Sequence, residues 1–594
     1  MLLAKPLHRA ARNNLIVRMT CVTLLALSLP VAGAPSGPPG ASHYTAVAAP
    51  DEFGARTAVA VLRSGGNAVD AAVATAFVLA VTYPEAGNLG GGGFMMIYLH
   101  GKPAFLDYRE TAPAAATRDM YLDDKGNVIK DASVIGPRAA GVPGTVAGLW
   151  MAHQRYGTRP WRELLQPAIK LAREGFIPSP AMANRIQEAR SSYTGVTNFD
   201  RYFGKVAAGA VFRQPELAAT LTRIASGGVQ EFYHGKTAQL LAAQIRHGSL
   251  ITLQDLAGYQ AKWRDPLTAE WRGMTLLTAP LPSSGGFALI ELLRMHDALG
   301  TQFAGLAHNS TQYVHLIAEM EKRVFADRAE YLGDPDFVHV PIERLIDPGY
   351  IARRAAEVRL HEISPVDSVK PGLQEGMHTT HFSILDTEGN AVANTYTLND
   401  WYGDGAVVEG AGFLLNNEMD DFSIKPGVPN MYGVVGGSAN AIVPGKRMLS
   451  SMSPTIAIKN GRVALVVGTP GGSTIFTSVF QTVLNIYDFH MSPQEAVAAG
   501  RFHHQLLPPD RITYSICCAL PADTITGLRA LGYQPEQSPW EFGDVQVVAV
   551  DDAGKVSAGS DPRGRGLSIV EDIPPVESGR QHSVRGAEQP RAAN

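Results

Sequence analysis

The first clear hydrophobic pattern in the chain is an apolar segment between two glycine-rich stretches. Residues 65–81 read GGNAVDAAVATAFVLAV and are apolar on nearly every face of a helix, which predicts a buried helix opened by the Gly-Asn pair. A Gly-rich turn follows at 82–94. The apolar runs FMMIYL and AFLDY then predict two strands, joined as a hairpin through 100–103.

Helical periodicity dominates the next part of the chain. GTVAGLWMAHQRYG and WRELLQPAIKLAREG predict amphipathic helices, and residues 180–350 are mostly helical in pattern. Breaks occur at RDPLTAEWRG and APLPSSGG. From Thr379 short predicted strands alternate with Gly/Pro/Asn loops, and helices return at 473–487 and near 522–531. One run of strands with helices around it indicates an α+β fold or layered sheets covered by helices.

Both chain ends differ from the rest of the sequence. Basic residues precede an apolar run at 22–34 that ends in small residues, which predicts a signal peptide over 1–34. Pro35 disfavours cleavage after Ala34, so cleavage after Gly33 is an alternative, as is an uncleaved signal anchor. No later stretch reaches transmembrane length. Residues 571–594 are polar and predict a disordered tail.

Composition and charge exclude some classes of protein but do not identify the function. Of 594 residues, 45% are hydrophobic and 18% charged, as in globular proteins, and the formal net charge is −4. No basic run with interleaved aromatic residues points to nucleic acid. Cys517 and Cys518 are adjacent and bridge poorly, so a disulfide framework is not expected. His503 and His504 would point apart on a regular element, which favours a structural or capping role over a metal site.

A second hairpin, TTHFSILDTEGNAVANTYTLN, contains a candidate nucleophile. If residues 386–390 form a five-residue loop, Leu385 faces Ala391 and Thr379 faces Thr397. Opposed residues have Cβ atoms about 4.5–5.5 Å apart, so the two hydroxyls could interact. Asn399 lies two residues further on the same face. Thr–Thr pairs are also good sheet pairs, so the hairpin alone does not require a catalytic role.

An internal threonine has no general base of its own, whereas a threonine at a chain terminus can use its own α-amino group as the base. The α-amino group of a chain terminus has a pKa of about 7.7–8.0, close to the pH at which a general base works best. Cleavage between His378 and Thr379 would create such a terminus. No G-x-S-x-G elbow offers a competing serine nucleophile.

The segment VALVVGTPGGSTIFTSVF predicts a strand, a Gly-rich turn and the start of a helix. Gly471 and Gly472 have no side chains, so their backbone N–H groups can approach a developing negative charge closely. No G-x-x-x-x-G-K-[ST] or G-x-G-x-x-G phosphate motif accompanies them. An oxyanion hole is one interpretation, and a merely tight turn is the other.

Charged and hydroxyl residues in three other loops could recognise an amino-acid head group. An arginine with two hydroxyls suits a carboxylate, whereas carboxylates with an amide oxygen suit an ammonium group. The loops contain Arg109 in LDYRETAP, Glu418, Asp420 and Asp421 in LLNNEMDDFS, and Ser450 and Ser451 in RMLSSMSPT. Singly, each of these residues is more often at the surface or a cap.

Taken together, these motifs resemble the γ-glutamyltransferases, which are N-terminal-nucleophile hydrolases. The similarity covers roughly 44–570 and rests on GGNAVDAAVA, GNLGGGGF, LDYRETAP, GVPGTVAGL, the Thr379 hairpin, LLNNEMDDFS, KPGVPNMYG, LSSMSPTI, GTPGGS, RFHHQ and SDPR. The resemblance implies a four-layer αββα sandwich made by self-cleavage. The two intertwined subunits would be a large one over 35–378 and a small catalytic one over 379–570.

The resemblance also implies a role for each site residue. Thr379 would be the nucleophile and new N-terminus, with Thr397 supporting it, and the remaining roles fall into three groups. The oxyanion hole would be Gly471 and Gly472; the α-carboxylate would be held by Arg109, Ser450 and Ser451, and the α-amino group by Asn399, Glu418 and Asp421; Tyr432 would be the gate of a lid loop.

The implied reaction is a ping-pong transfer without metal or organic cofactor. Thr379 would take the γ-glutamyl group of glutathione or a related compound and pass it to water, an amino acid or a peptide. A periplasmic or secreted heterodimer is expected, with no stable membrane span after signal removal and no nucleic-acid partner. Two alternatives stay open: a glutaryl (cephalosporin) acylase on the same scaffold, and an unprocessed, non-catalytic binding protein.

Overall fold

The computed structural model describes residues 44–369, 379–425 and 437–573. Its strands are β1 (Tyr44–Ala49), β2 (Gly92–Leu99), β3 (Lys102–Asp107), β4 (Lys262–Arg264), β5 (Leu267–Trp271), β6 (Met274–Thr278), β7 (Thr380–Leu385), β8 (Ala391–Thr397), β9 (Thr455–Lys459), β10 (Arg462–Gly468), β11 (Phe502–His503), β12 (Arg511–Tyr514), β13 (Gln534–Gln537), β14 (Gln546–Val550), β15 (Val556–Ser560) and β16 (Leu567–Asp572).

The α-helices are concentrated before Thr379. They are α1 (Glu52–Arg63), α2 (Ala68–Thr82), α3 (Thr145–Tyr156), α4 (Trp161–Leu164), α5 (Gln166–Glu174), α6 (Pro180–Tyr193), α7 (Phe199–Phe203), α8 (Pro215–Tyr233), α9 (Lys236–Ala242), α10 (Leu253–Gly258), α11 (Gly285–Ala298), α12 (Gly300–Phe303), α13 (Thr311–Tyr331), α14 (Ile342–Leu345), α15 (Pro348–Ala356), α16 (Thr474–Tyr487), α17 (Pro493–Ala498) and α18 (Ala522–Leu531).

Two large sheets form the centre of the fold. The first has the strand order β16-β1-β7-β8-β2-β3-β4 and the second β15-β14-β10-β9-β6-β5, while β11, β12 and β13 form a small third sheet. Each large sheet contains strands from both sides of Thr379: β7 lies between β1 and β8, and β9 lies between β10 and β6. The strand that follows Thr379 is therefore an inner strand of its sheet.

Three apolar cores separate four layers. One core packs α2 and its neighbours on the first sheet, a second packs α11, α13 and α16 on the other sheet, and a third lies between the two sheets. Alternation along a strand sends successive side chains to opposite faces. Phe382 and Ile384 of β7 enter the helix-side core and Leu385 enters the inter-sheet core. The α+β, αββα architecture predicted from the sequence is confirmed.

The predicted buried helix is α2, and its sequence explains its placement. All of its residues are buried, and Asn67 caps it by accepting from the N–H groups of Val69 and Asp70 in a capping box. An apolar helix without a polar face must be covered on all sides. It packs against β7 and β8, the two strands of the second hairpin, on the helix-covered face of the first sheet.

The structure refines one local expectation and corrects two. The break at RDPLTAEWRG within the helical region contains strand residues of β4 and β5, and β6 follows. The predicted helix WRELLQPAIKLAREG is two helices, α4 and α5, because Pro167 occupies the first turn of a new helix and cannot continue the old one. At the other end of the chain, β16 pairs with β1 through Asp572, two residues into the predicted tail.

Among the residues that the structure describes, no helix combines the length and apolar character needed to cross a membrane. Cys517 and Cys518 are both free thiols, as the poor geometry of adjacent cysteines predicts. The predicted signal peptide lies outside the described residues, as does the tail beyond residue 573.

Candidate active site

The second hairpin has the predicted register. Leu385 pairs with Ala391 and Thr380 with Tyr396, which sets Thr379 opposite Thr397. The Oγ1 of Thr379 donates a hydrogen bond to the Oγ1 of Thr397 at 3.3 Å. The Thr379 side of the strand faces the second sheet, and Thr379 is 6% exposed. A hydroxyl so placed is shielded from bulk water but lies beside a second hydroxyl.

Asn399 connects this hairpin to the loop that contains the acidic residues. Its backbone has a φ of 75°, in the left-handed region that asparagine tolerates better than most residues. Its N–H donates to the Oγ1 of Thr397 at 2.8 Å, and its Nδ2 donates to the carbonyl of Asn417 at 3.1 Å. Thr397 therefore accepts hydrogen bonds from Thr379 and from Asn399, and Asn399 contacts the residue that precedes Glu418 in the chain.

Arg109, two residues after β3, lies at the centre of a buried charge cluster. The guanidinium is 1% exposed and makes ion pairs with Glu418 and with Asp421. Its Nε donates to the carbonyl of Met448 and an Nη to that of Leu449, each at 3.3 Å. The carbonyl contacts bring the next two residues of that loop, Ser450 and Ser451, to the same place.

The carboxylates around Arg109 hold protons more tightly than isolated carboxylates do. Burial raises the pKa of Glu418 well above its ordinary value and raises that of Asp421, although Arg109 opposes both shifts. Burial also raises the pKa of Glu110, 3.8 Å from Arg109, to about 8. Within the described chain neither oxygen of the Glu110 carboxyl has a hydrogen-bond partner. The cluster is therefore less negative at neutral pH than its three carboxyls and one arginine would indicate.

The serine loop rests on a second buried arginine that the sequence analysis missed. Ser450 accepts from the N–H of Met452 at 3.1 Å, and Ser451 lies 3.4 Å from the hydroxyl of Ser284. Arg328, 3% exposed, donates to the Ser284 hydroxyl at 2.7 Å, and burial lowers its pKa to about 9. Arg328 comes from a helix rich in charged residues, where nothing in the spacing marks one arginine as buried beside a site.

The Gly-rich turn lies between β10 and α16. Gly471 has a φ of 135° and Gly472 of 53°, conformations that disfavour any residue with a Cβ. In the part of the chain that the structure describes, neither of their N–H groups has a hydrogen-bond partner. Just before this turn, a Cβ on Gly468 would lie 2.4 Å from the ring of His381, which follows Thr379 by two residues. Strand β10 therefore approaches β7 closely where the turn begins.

The structure connects two groups of the residues proposed for the site. Hydrogen bonds link Thr379, Thr397 and Asn399, and ion pairs link Arg109 to Glu418 and Asp421 next to the loop of Ser450 and Ser451. Gly471 and Gly472 follow β10, whose end lies against His381. Asp420 accepts from the hydroxyl of Ser133 at 2.6 Å. His378 and Tyr432 lie outside the described residues. Within those residues, no group of three or more His, Cys, Asp or Glu side chains could hold a metal ion.

Comparisons with known proteins agree over nearly the whole chain. The family model described as Gamma-glutamyltranspeptidase matches residues 54–570. A glutathione hydrolase proenzyme of Pseudomonas aeruginosa is 60% identical over 526 residues, which cover 88% of this chain and 94% of the relative.

Two solved structures are similar to this chain. The gamma-glutamyltranspeptidase of Pseudomonas nitroreducens, complexed with L-DON, is 57% identical with a TM-score of 0.54, and covers 55% of this chain and 97% of its own. The cephalosporin acylase of Bacillus halodurans is 26% identical with a TM-score of 0.77, and covers 92% and 99%. The 60% identity to the Pseudomonas aeruginosa proenzyme over 88% of this chain, together with the matching family model, establishes that this chain belongs to the gamma-glutamyltranspeptidase family.

Proposed function

We propose that the protein is a γ-glutamyltransferase with glutathione hydrolase activity, and that Thr379 carries the γ-glutamyl group. The observation that supports this most directly is the Thr379–Thr397 hydroxyl pair, which Asn399 links to a buried cluster of an arginine and carboxylates. A nucleophile beside groups of both charges suits a substrate whose acyl group ends in a zwitterion.

The chain would first cut itself between His378 and Thr379. The hydroxyl of Thr379 attacks the carbonyl of His378, and the C–N bond between the two residues breaks as an ester forms, which frees the amine of Thr379. Water then hydrolyses the ester and releases the carboxylate of His378 and the hydroxyl of Thr379. The small subunit then begins at Thr379 and the large subunit ends at His378. Both would remain together as a heterodimer, exported to the periplasm or beyond once the signal peptide is removed.

Transfer would then follow a ping-pong course. The amine of Thr379 accepts the proton of its own Oγ as that oxygen attacks the γ-carbonyl, and passes the proton to the leaving amine. The N–H groups of Gly471 and Gly472 stabilise the oxyanion, while the Oγ1 of Thr397 orients the nucleophile. Water or an acceptor amine then attacks the acyl-enzyme, with Tyr432 gating access.

Substrate binding would rearrange the ion pairs of the charge cluster. In the free protein Arg109 is satisfied by Glu418 and Asp421. A zwitterion supplies one new charge of each sign: its carboxylate pairs with Arg109 beside Ser450 and Ser451, and its ammonium takes Glu418, Asp421 and the amide oxygen of Asn399. The exchange leaves no buried charge unpaired, which matters because an unpaired one is very costly.

N-terminal sequencing and turnover together test this proposal. We expect a small fragment that begins at Thr379, and release of aniline from a γ-glutamyl anilide that a dipeptide acceptor accelerates. Thr379→Ala should leave one inactive chain, because both reactions need the hydroxyl. Thr379→Ser should still cut and retain some activity. A fragment that begins at Thr380, or full turnover by an uncut chain, would contradict the terminal-amine mechanism.

A glutaryl acylase is the second candidate, because the cephalosporin acylase of Bacillus halodurans has the same overall fold. Glutaryl groups have no α-amino group, so Glu418 and Asp421 would have no cation to bind. The much higher identity to glutathione hydrolases favours the first candidate. Parallel assays on γ-glutamyl and glutaryl anilides separate the two.

A further inference from the structure

A row of polar side chains supports the Gly-rich turn from the side of helix α16. Ser473 directly follows Gly472 and is 3% exposed. Its hydroxyl makes no capping bond to α16 but donates to the Oε1 of Gln505 at 3.0 Å. The same Oε1 lies 3.0 Å from the Nε2 of His503, whose Nδ1 lies 3.1 Å from the hydroxyl of Thr477. The row of contacts therefore runs from Ser473 at the start of α16 through Gln505 and His503 to Thr477, which lies one turn further along the same helix.

The ring of His503 has a fixed role in this row. His503 is buried against Phe325 and Phe542, and burial lowers its pKa to about 3, so the imidazole is neutral near neutral pH. A neutral imidazole has one N–H and one acceptor nitrogen. Because the amide oxygen of Gln505 can only accept, the proton lies on Nε2. Nδ1 is then the acceptor nitrogen and lies beside the hydroxyl of Thr477, which also donates to the carbonyl of Thr474 at 3.1 Å. Gln505 therefore receives two hydrogen bonds and ties Ser473 to the buried ring.

The turn has one local support, because the N–H and the Oγ1 of Thr474 donate to the carbonyl of Gly471 at 3.0 and 2.8 Å, but its glycines have no side-chain contact of their own. Gly471 and Gly472 have no side chain to pack. Because glycine also populates many other backbone conformations, these residues do not by themselves maintain their positive φ values. On the other flank, the Oγ1 of Thr469 accepts from the N–H of Asp544 at 2.9 Å. Ser473 is the first residue after the glycines whose side chain is anchored, and Gln505 is that anchor. A small shift there would turn the two free N–H groups away from the reacting carbonyl.

We infer that Gln505 is a positioning residue for the transfer reaction: through Ser473 it fixes the direction of the Gly471 and Gly472 N–H groups, with His503 as its buried support. The inference rests on the proposed function. Gln505 itself contacts neither substrate nor nucleophile in this scheme. It acts on the transition state, where charge develops on the oxygen, and not on the ground state.

The test compares Gln505→Leu with Gln505→Glu in the self-cleaved protein. Leucine removes the acceptor, whereas glutamate retains oxygens for both donors. Loss of one oxyanion donor costs on the order of 10²–10³ in kcat, so a misdirected pair should cost about tenfold or more. We expect that loss in Gln505→Leu with KM for the γ-glutamyl anilide within about twofold, and recovery of most of the rate in Gln505→Glu.

Two binding measurements distinguish positioning from general damage. A boronic-acid analogue of the γ-glutamyl group forms a tetrahedral anion on the nucleophile, so its affinity should fall by the same factor as kcat/KM. The affinity for glutamate, which stays a ground-state ligand, should not change. The matched control is Gln534→Leu, at an exposed glutamine of the same small sheet, which should retain wild-type kinetics.

A second variant covers the case in which Gln505→Leu does not fold. Ser473→Ala removes the donor on the turn itself and should give the same loss, and the double variant should be no worse than either single one. Additive losses, an unchanged kcat, or equal weakening of glutamate and boronate binding would each overturn the inference. If the wild-type protein does not turn over γ-glutamyl anilide at all, the proposed function fails and the inference fails with it. If the wild-type protein turns it over and Gln505→Leu does so at the same rate, only the inference fails.

Discussion

Replacing Thr397 by valine tests the hydroxyl pair at the centre of the proposed mechanism. Valine retains the branched shape of threonine and removes only the oxygen. That oxygen accepts from Thr379 at 3.3 Å and from the Asn399 N–H at 2.8 Å. The substitution therefore has two separable consequences, one for the nucleophile and one for the fold.

The size of each effect follows from the geometry. A neutral hydrogen bond contributes about 0.5–1.5 kcal/mol net, and 3.3 Å is long for a bond between hydroxyls. Loss of orientation at Thr379 should therefore lower kcat by roughly two- to tenfold, and self-cleavage should slow in parallel. Asn399 is 7% exposed, so its N–H would be left largely buried without an acceptor, which costs about 1–3 kcal/mol of unfolding free energy.

Thr395→Val is the matched control. Thr395 lies two residues back on the same face of β8, and its hydroxyl is 2.7 Å from the Nδ1 of His381, so valine removes a buried hydrogen bond there too. It should destabilise the fold similarly but leave kcat within about twofold. The assays are guanidinium unfolding, turnover of a γ-glutamyl anilide by cleaved protein, and the time course of cleavage on a denaturing gel. Full turnover by Thr397→Val, or an equal loss in Thr395→Val, would refute the reasoning.

Arg109→Lys retains the charge but loses the planar fork, so KM for γ-glutamyl substrates should rise at least tenfold while cleavage on a gel stays intact; an unchanged KM would remove Arg109 from the site. Glu85→Gln removes the buried carboxylate that the partly buried Arg185 and Arg565 share, and the unfolding free energy should fall by about 3 kcal/mol in guanidinium. Burial raises the pKa of Asp544 to about 8, so the folded state keeps a proton that the unfolded chain releases, and stability declines as pH rises from about 4 to 8. Asp544→Asn should remove that decline, and a parallel pH profile of melting temperature would contradict it.

The elements that the sequence predicted well are those with local causes. The register of the Thr379 hairpin follows from strand alternation and the length of one loop, both visible within 21 residues. Helix α2 follows from an apolar run and a capping asparagine beside it. In each case the deciding interactions lie within a few residues of one another along the chain.

What could not be predicted depends on distant partners. Strand β6 pairs with β9, and Leu277 of β6 faces Ile456 of β9. Because this partner strand is distant in the sequence, the residues around β6 did not by themselves predict a sheet. The residue types around Arg109 were predicted to share a site, but the ion pairs join positions more than 300 residues apart. Likewise, RFHHQ indicated a structural role, yet nothing in its spacing identified Ser473 as the target of Gln505.

The position of β7 between β1 and β8 has a consequence for the lifetime of the protein. In an uncut chain β1 and β7 are held at a high effective concentration by the connecting polypeptide, and their pairing is an intramolecular event. Once the His378–Thr379 bond is cut as proposed, the same pairing requires two separate molecules to meet. The cleaved protein would then be kinetically stable but poorly able to refold. Maturation would be irreversible in this sense: the precursor can fold, whereas the cleaved enzyme persists only as long as it does not unfold.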